Sequence, residues 1–538
     1  MYDFFSSHLV NVTQYRQHGY PNFCYYCNYK ILYPMRFIFT LLFLGFLSSL
    51  TAQNVNYAGI NCVDDHAALR KRLIANKTSL KNGLTFIRET IFVPVKFHLA
   101  AEADGSGRIE IADVLDQLCA LNQEFEATGF VFYIDSGFNL INNTNVFESP
   151  TTATGVARMI RESRDEGPNG LNIFVTQNAD RGNIENGTVL GFYSIQNDWI
   201  VIRKSQIGIG ENTLAHEIGH FFSLNHPHTG WESNPWTESE HGNPVLIRNI
   251  NGIQIELVDK SNCETAGDLV CDTPPDYNFG LTWDNRCPDF DLDVADRNGD
   301  TIIPSQINYM SYFLGCGPYE FSPQQRNIMM ADYNSSLKSY LRTGYVPDTR
   351  PVTEKVDLLF PGNNTTTEFY NGVELKWSAS ENATNYSVLI RGGQDEIAFI
   401  TQDTAKYMTE LSPDRTYTWS VTPYNESSAC AGKTTNILKT NDMTTATEDP
   451  QFSTEISLSP NPVRSGQNLL LGLESTDKMT GVLNIYDQSG RRMIQSQRDL
   501  RIGYNEISID VNDLSSGIYM LSLATEKGSI NRKVIVNH

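Results

Sequence analysis

The sequence predicts a mixed α/β (α+β) domain followed by two all-β modules. Three observations lead there. From residue 91 to 221, short apolar runs alternate with stretches of helical period, which is a mixed α/β order. Beyond residue 353 the pattern becomes short runs of period two, broken at intervals by turn residues. And 538 residues are too many for one core, so several domains are expected.

In chain order, residues 91–99 (IFVPVKFHL) read as a strand, and residues 109–125 place apolar side chains at helical spacing. Residues 130–134 and 171–175 are further strands, 188–203 supply another, and a helix begins near residue 213. After a proline- and charge-rich linker around 345–353, residues 354–441 carry the alternation Val373-Glu374-Leu375-Lys376-Trp377 and a strand at 386–390. A polar linker at 441–454 then leads to a last small β module at 455–538.

Hydrophobic content of 40% and charged content of 19% suit folded, soluble material. A net charge of −21 leaves no surplus of Lys and Arg to neutralise phosphates, which argues against nucleic acid as a partner. Met35-Arg36, the apolar run 37–50 and the small-residue exit Thr51-Ala52-Gln53 form a secretory signal peptide at 35–52. The run is too short to span a membrane comfortably, so no stable transmembrane segment is expected. Residues 1–34 then read as an upstream extension, with Met35 as the true start. Residues 53–89 read as a propeptide before a domain at 90–343, or equally as that domain's first helix.

Two of the nine cysteines, Cys24 and Cys27, fall in the extension. Cys263, Cys271, Cys287 and Cys316 suit two disulfides in an exported protein, with three pairings open. The remaining odd number leaves at least one thiol unpaired. Cys62 is a candidate zinc-binding switch that keeps a zymogen silent; a disulfide to Cys119, or an inert buried thiol, is the plainer reading.

The strongest motif is residues 213–230, TLAHEIGHFFSLNHPHTG. On a helix, residues four apart share a face, so His216 and His220 can hold one metal ion together. Glu217 projects beside that ion, where a carboxylate can take a proton from a water. A catalytic zinc needs three protein ligands and an open position. His226, six residues beyond His220, is the candidate third ligand. A sharp turn must bring it back, and glycine usually serves there because positive φ costs it nothing. This chain has Ser223, with His228 as the spare ligand if the turn is displaced. Downstream, Met310 precedes Tyr312 by two residues. Met310 would lie beneath the metal as an apolar support, and the Tyr312 hydroxyl could hydrogen-bond an oxyanion. Asp296-Arg297-Asn298-Gly299-Asp300 opens like a calcium loop, but Thr301 and Ile307 stand where its glycine and bidentate carboxylate should be, so a solvated turn is the reading.

Four blocks together give a family resemblance: the histidine motif at 216–226, G-D-L-V-C-D-T-P at 267–274, N-Y-M-S-Y at 308–312 and F-S-P-Q-Q at 321–325. They resemble the pappalysin (ulilysin-like, cytophagalysin) metzincin metalloproteases over residues 90–340. The resemblance implies a twisted sheet beside an active-site helix, Zn²⁺ on His216, His220 and His226, Glu217 as general base and Tyr312 assisting the transition state. It also implies Ca²⁺ at Asp268 and Thr273, although Pro275 lacks the oxygen ligand expected nearby. Residues 354–441 look like a fibronectin type III sandwich, with Trp377 in the core and Tyr417 at a strand start. The S-L-S-P-N-P-V opening at 457–463 and the L-S-S-G-I-Y block at 514–519 resemble the C-terminal sorting domain of type IX secretion substrates, which implies export through that machinery.

The function expected is a secreted zinc endopeptidase acting on proteins or peptides. The alternative is a non-catalytic surface or adhesion protein whose Ser223 turn has lost the third ligand.

Overall fold

The computed structural model describes residues 65–83, 90–179, 189–284, 286–393, 395–442, 453–487, 491–525 and 527–537. The extension 1–34, the signal peptide 35–52 and Cys62 lie outside them.

A helix, α1 (His66–Lys81), precedes the sheet, with Asp65 accepting from the Ala68 N–H as its N-cap. The sheet begins with β1 (Ile91–Ala101), whose residues 93 to 101 are all buried. Helix α2 (Ile111–Glu124) follows, then β2 (Phe130–Ile134), β3 (Asn139–Asn142), α3 (Thr144–Glu148), α4 (Ala153–Glu166) and β4 (Leu171–Thr176). Strands β1, β2, β3 and β4 pair in parallel, β2 along the first half of β1 and β3 along its end. Parallel interior strands are covered on both faces, which is why β1 and β4 are mostly apolar and why even Lys96, His98 and Asn172 on them are buried.

The expected single strand at 188–203 is a hairpin instead, β5 (Gly191–Ser194) antiparallel to β6 (Trp199–Arg203). The turn forms at Gln196-Asn197-Asp198, where Asp198 takes φ +57°. Asn and Asp tolerate that region better than other side chains. The order is therefore β2-β1-β4-β6-β5, a mixed sheet with one antiparallel edge. Helix α5 (Thr213–Phe221) carries the histidine motif, and α6 (Glu238–His241) and α7 (Pro323–Asn334) complete the helices of the domain.

Residues 358–439 form two facing sheets around Trp377, Tyr417 and Trp419, all buried. The Tyr417 hydroxyl ties the sandwich corner, donating to Asp395 at 2.9 Å and accepting from the Ser412 N–H at 2.9 Å. Residues 453–537 form two further sheets around their own apolar core.

The cysteines pair as Cys263–Cys271, Cys287–Cys316 and Cys119–Cys430. The third pair corrects the reading of Cys119 as a partner of Cys62. It joins α2 to the sandwich across 311 residues. Around it, Glu110 pairs with Arg391 and Lys433, and Asn122 donates to the Ser427 carbonyl at 2.9 Å. A cross-link closing so long a loop removes entropy from the unfolded chain. Replacing Cys119 and Cys430 together by Ala should cost about 2–5 kcal/mol in urea unfolding. An unchanged midpoint would mean that polar contacts alone hold the sandwich.

Candidate active site

Every residue of α5 from Leu214 to Phe221 is buried. The helix ends in a tight turn: the Ser223 N–H bonds the His220 carbonyl and the Leu224 N–H bonds the Gly219 carbonyl, both at 2.9 Å. Ser223 takes φ +71°, the left-handed region that glycine would occupy freely. The strain is offset from α1. Asn76 donates to the Ser223 hydroxyl at 2.8 Å and to Asp332 at 2.7 Å. Arg72 clamps Asp332 with two hydrogen bonds and donates to the Phe221 carbonyl at 3.0 Å and the Tyr193 hydroxyl at 2.9 Å. One helix thus ties off the end of α5 and the residue that reverses the chain.

That reversal brings His226 back. Its Nε2 lies 3.0 Å from His220 Nε2 and 3.3 Å from His216 Nε2. Backbone carbonyls fix two of the tautomers: His216 Nδ1 bonds Tyr309 O at 2.7 Å, and His220 Nδ1 bonds Leu224 O at 2.8 Å. A carbonyl can only accept, so both Nδ1 atoms carry the proton and both Nε2 atoms present lone pairs. Burial foremost pushes all three imidazoles down, His216 to about 4, so they stay neutral near pH 7. Two lone pairs thus face His226 Nε2 at 3.0 and 3.3 Å, an arrangement in which a cation can be shared by all three nitrogens. Zn–N bonds of about 2.0–2.1 Å at tetrahedral angles set neighbouring nitrogens about 3.3–3.4 Å apart. The residues fit a zinc ion, and among the described residues they are the one group of three His, Cys or carboxylate side chains so placed.

The other expected residues gather here too. Glu217 is buried on the same helix and lines a cleft with His216, Tyr309 and Tyr312. The Tyr312 hydroxyl stands 3.4 Å from His226 Nε2. Met310, fully buried, lies under Gly219, where a Cβ would overlap its sulfur. Asn308 shapes this turn by accepting from the Met310 N–H at 2.9 Å, and Gln325 of α7 holds Asn308 at 2.8 Å. The F-S-P-Q-Q block is therefore a capping box that also grips the turn. Sequence reasoning missed the Tyr309 and Leu224 carbonyls, which orient the ligands.

His228 stacks on His226 with centroids 4.6 Å apart and does not join the three converging nitrogens. Asp268 is fully buried, accepting from the Val270 N–H and the Thr273 hydroxyl at 2.9 Å each. Glu256, unnoticed in the sequence, lies beside it. Burial, then the charge of Asp268, pushes the Glu256 carboxyl up to about 10, and burial pushes Asp268 to about 7. The Asp296 loop corrects another expectation. It is a turn, but its carboxylate is buried and accepts three backbone N–H groups, from Val258, Asn298 and Asp300.

Comparison with known proteins completes the description. Residues 457–537 match the model of the secretion system C-terminal sorting domain. The chain is similar to an extracellular metalloprotease of Arthroderma gypseum, at 25% identity over 311 residues, which are 54% of this chain and 88% of the relative. It is also similar to an extracellular metalloprotease of Colletotrichum graminicola, at 24% identity over 287 residues, 50% of this chain and 86% of the relative. This chain is exported. The sorting domain and the extracellular relatives together place it outside the cell or on its surface. Among solved structures, dimeric latent PorU from Porphyromonas gingivalis matches 34% of this chain and 20% of its own, at 14% identity and TM-score 0.16. The chicken CNTN1 FN1–FN3 domains match 35% of this chain and 69% of their own, at 11% identity and the same TM-score. Among the described residues no helix is long and apolar enough to cross a membrane.

The turn can be tested directly. Ser223→Gly and Ser223→Ala both delete the hydroxyl, but only Ala keeps a Cβ at positive φ. The glycine variant should be the more stable by about 1–2 kcal/mol in thermal unfolding. Equal stabilities would remove the left-handed turn.

Proposed function

We propose that the chain is a secreted zinc endopeptidase of the pappalysin type, with a fibronectin type III-like module at 354–441 and a type IX sorting domain at its end. The convergence of three neutral imidazole nitrogens carries the reading. His216, His220 and His226 would hold the metal, which when bound supplies Lewis acidity and lowers the pKa of a water. Glu217 takes a proton from the attacking water and passes it to the leaving amine. The Tyr312 hydroxyl donates a hydrogen bond to the oxygen of the scissile carbonyl as negative charge builds there. The left-handed Ser223 supports this reading over that of a binding protein with a degenerate turn, because His226 is within reach of the other two ligands.

Glu217→Gln should keep one zinc per chain while cleavage of a denatured protein falls by about 10²–10⁴-fold. Near wild-type cleavage would remove Glu217 from its role. His226→Ala should lower zinc occupancy.

We further infer a calcium ion at Asp268 and Thr273, with Glu256 as an added ligand. Glu256 Oε1 is buried without a hydrogen-bond partner, which suits a hard cation seeking oxygen. The sign of the pH effect follows from the raised carboxyl of Asp268, at about 7 in the fold. Without metal, the folded state keeps a proton that the unfolded chain releases near its ordinary value of about 3.9. Stability is then lost as pH rises from the unfolded value through the folded one. Calcium binds the ionised form, so its stabilising shift in Tm should grow from pH 6 to pH 8. Asp268→Asn should shrink that growth, with Glu256 left as the titrating ligand.

A further inference from the structure

A cavity of about 770 Å³ lies at the carboxyl end of α2, and none of the three histidines lines it. One wall is Glu124, the last residue of α2, with Glu126 just beyond it. The facing wall is Tyr319, Glu320 and Phe321, with Arg326 of α7 beside them and Tyr309 between the two walls.

Some of its polar groups are committed and some are not. The Tyr319 hydroxyl donates to the Phe313 carbonyl at 2.8 Å and accepts from the Cys316 N–H at 3.0 Å. Glu124 has no such engagement: its Oε2 is buried without a hydrogen-bond partner. Burial pushes that carboxyl up to about 7, with no cation nearby to oppose the effect. Tyr309 is only 5% exposed, and it makes its hydrogen bonds through its backbone. Its carbonyl serves His216 and its N–H bonds the Glu320 carbonyl at 3.1 Å. Among the described residues its hydroxyl has no partner. Burial, then the charge of Glu124, pushes that phenol up, so the two groups lie close together. A carboxylate buried without a partner is costly, and the usual reasons to keep one are a ligand, an ion or a role in chemistry.

What completes Glu124 must be positive. Glu126 and Glu320 add two exposed carboxylates at the mouth, and the last carbonyls of α2 add partial negative charge. Arg326 is the one cation lining the cavity, and among the described residues it forms no ion pair with any of the three carboxylates. The ligand must also suit aromatic walls, because Tyr309 meets Phe321 at 4.7 Å and Tyr319 at 5.6 Å between ring centroids. A hard metal ion seeks about six oxygens or more, and the interior offers one carboxyl and one hydroxyl. A guanidinium or ammonium group needs less: one carboxylate to pair with and a ring face to lie over.

We propose that this cavity binds an organic cation, a guanidinium or ammonium group on an apolar stem, with Glu124 as counter-ion and the Tyr309 ring as its support. The proposal does not depend on the peptidase reading. One residue nevertheless links the site to the metal centre, since the Tyr309 carbonyl aims His216. Two sources share this chemistry: a small free cation, and an arginine or lysine side chain of a bound polypeptide.

The test uses the full chain carrying Glu217→Gln, so that no peptide is cut during the measurement. Calorimetry compares N-acetylarginine amide with N-acetylcitrulline amide, its uncharged isostere. The arginine compound should bind one per chain and at least about tenfold more tightly, the scale of a hydrogen-bonded charge. Glu124→Gln keeps the shape and removes the charge, and should lose about the same factor. The citrulline comparison needs no change at the site, so it stands even where that variant is unstable. Equal binding of the two compounds, no binding of either, or undiminished affinity in a folded Glu124→Gln chain would overturn the proposal. Arg326→Gln should hold or tighten the affinity. A loss there would show that an anionic group is being recognised, and would overturn it too.

A capped pentapeptide, acetyl-Ala-Ala-Arg-Ala-Ala-amide, separates the two sources. Affinity at least about tenfold above that of the single residue assigns the site to polypeptides, through contacts beyond the side chain. Equal affinity assigns it to a small free cation. In both cases Glu124→Gln should weaken the binding, and a peptide indifferent to it would be held elsewhere.

Discussion

Three imidazole nitrogens turned towards one point are the constraint on which the rest of the domain depends. His216 and His220 both present lone pairs to His226 Nε2, at 3.3 and 3.0 Å, and a cation at that point satisfies all three nitrogens together. What holds them is backbone. The carbonyls of Tyr309 and Leu224 fix which nitrogen of His216 and His220 carries the proton. Orienting a ligand through its other ring nitrogen is a common device of metal centres. Here one of the two carbonyls belongs to the turn that also carries Met310 and Tyr312. The same segment therefore aims a ligand, packs beneath α5 and supplies a hydroxyl near His226.

Around that centre runs a second, charged layer. Arg72, Asp332 and Asn76 connect α1, α7 and the Ser223 turn, while Lys338 pairs with Asp198 beside Tyr193 and Tyr340. Lys338 and Asp332 are fully buried. Buried ion pairs add little net stability over apolar packing, but losing one partner strands a charge and costs several kcal/mol, about 3–5. The layer therefore matters less as glue than as a specifier of register. It leaves the end of α5 and the start of its turn with one arrangement.

The parts legible in the sequence are those where chemistry demands a residue type at a fixed spacing. His216, Glu217, His220 and His226 announce themselves because metal ligands allow few substitutes. Met310 and Tyr312 were legible only by their order after the motif. Backbone acceptors have no residue-type signature, so Tyr309 O and Leu224 O were invisible. Asn76 left a trace that went unread: it sits in line with Leu69, Leu73 and Leu80 on the buried stripe of α1, and a polar residue there implies a buried partner. Glu256 is a single carboxyl outside the 267–274 block that holds Asp268, with no pattern to flag it. The 191–203 hairpin was missed because both of its strands are short and largely apolar, and its turn has no glycine.

The bridge between Cys119 and Cys430 has a temporal meaning as well as a mechanical one. Its two halves are 311 residues apart, so the first thiol must wait, exposed to other partners, until the sandwich has been made and folded. Closure then becomes a record of completeness. A chain truncated within the sandwich keeps the whole metal centre yet carries a free thiol on α2. In an oxidising compartment that thiol would pair with whatever else is near. Full-length molecules close upon themselves, and incomplete ones mark themselves by what they become bound to.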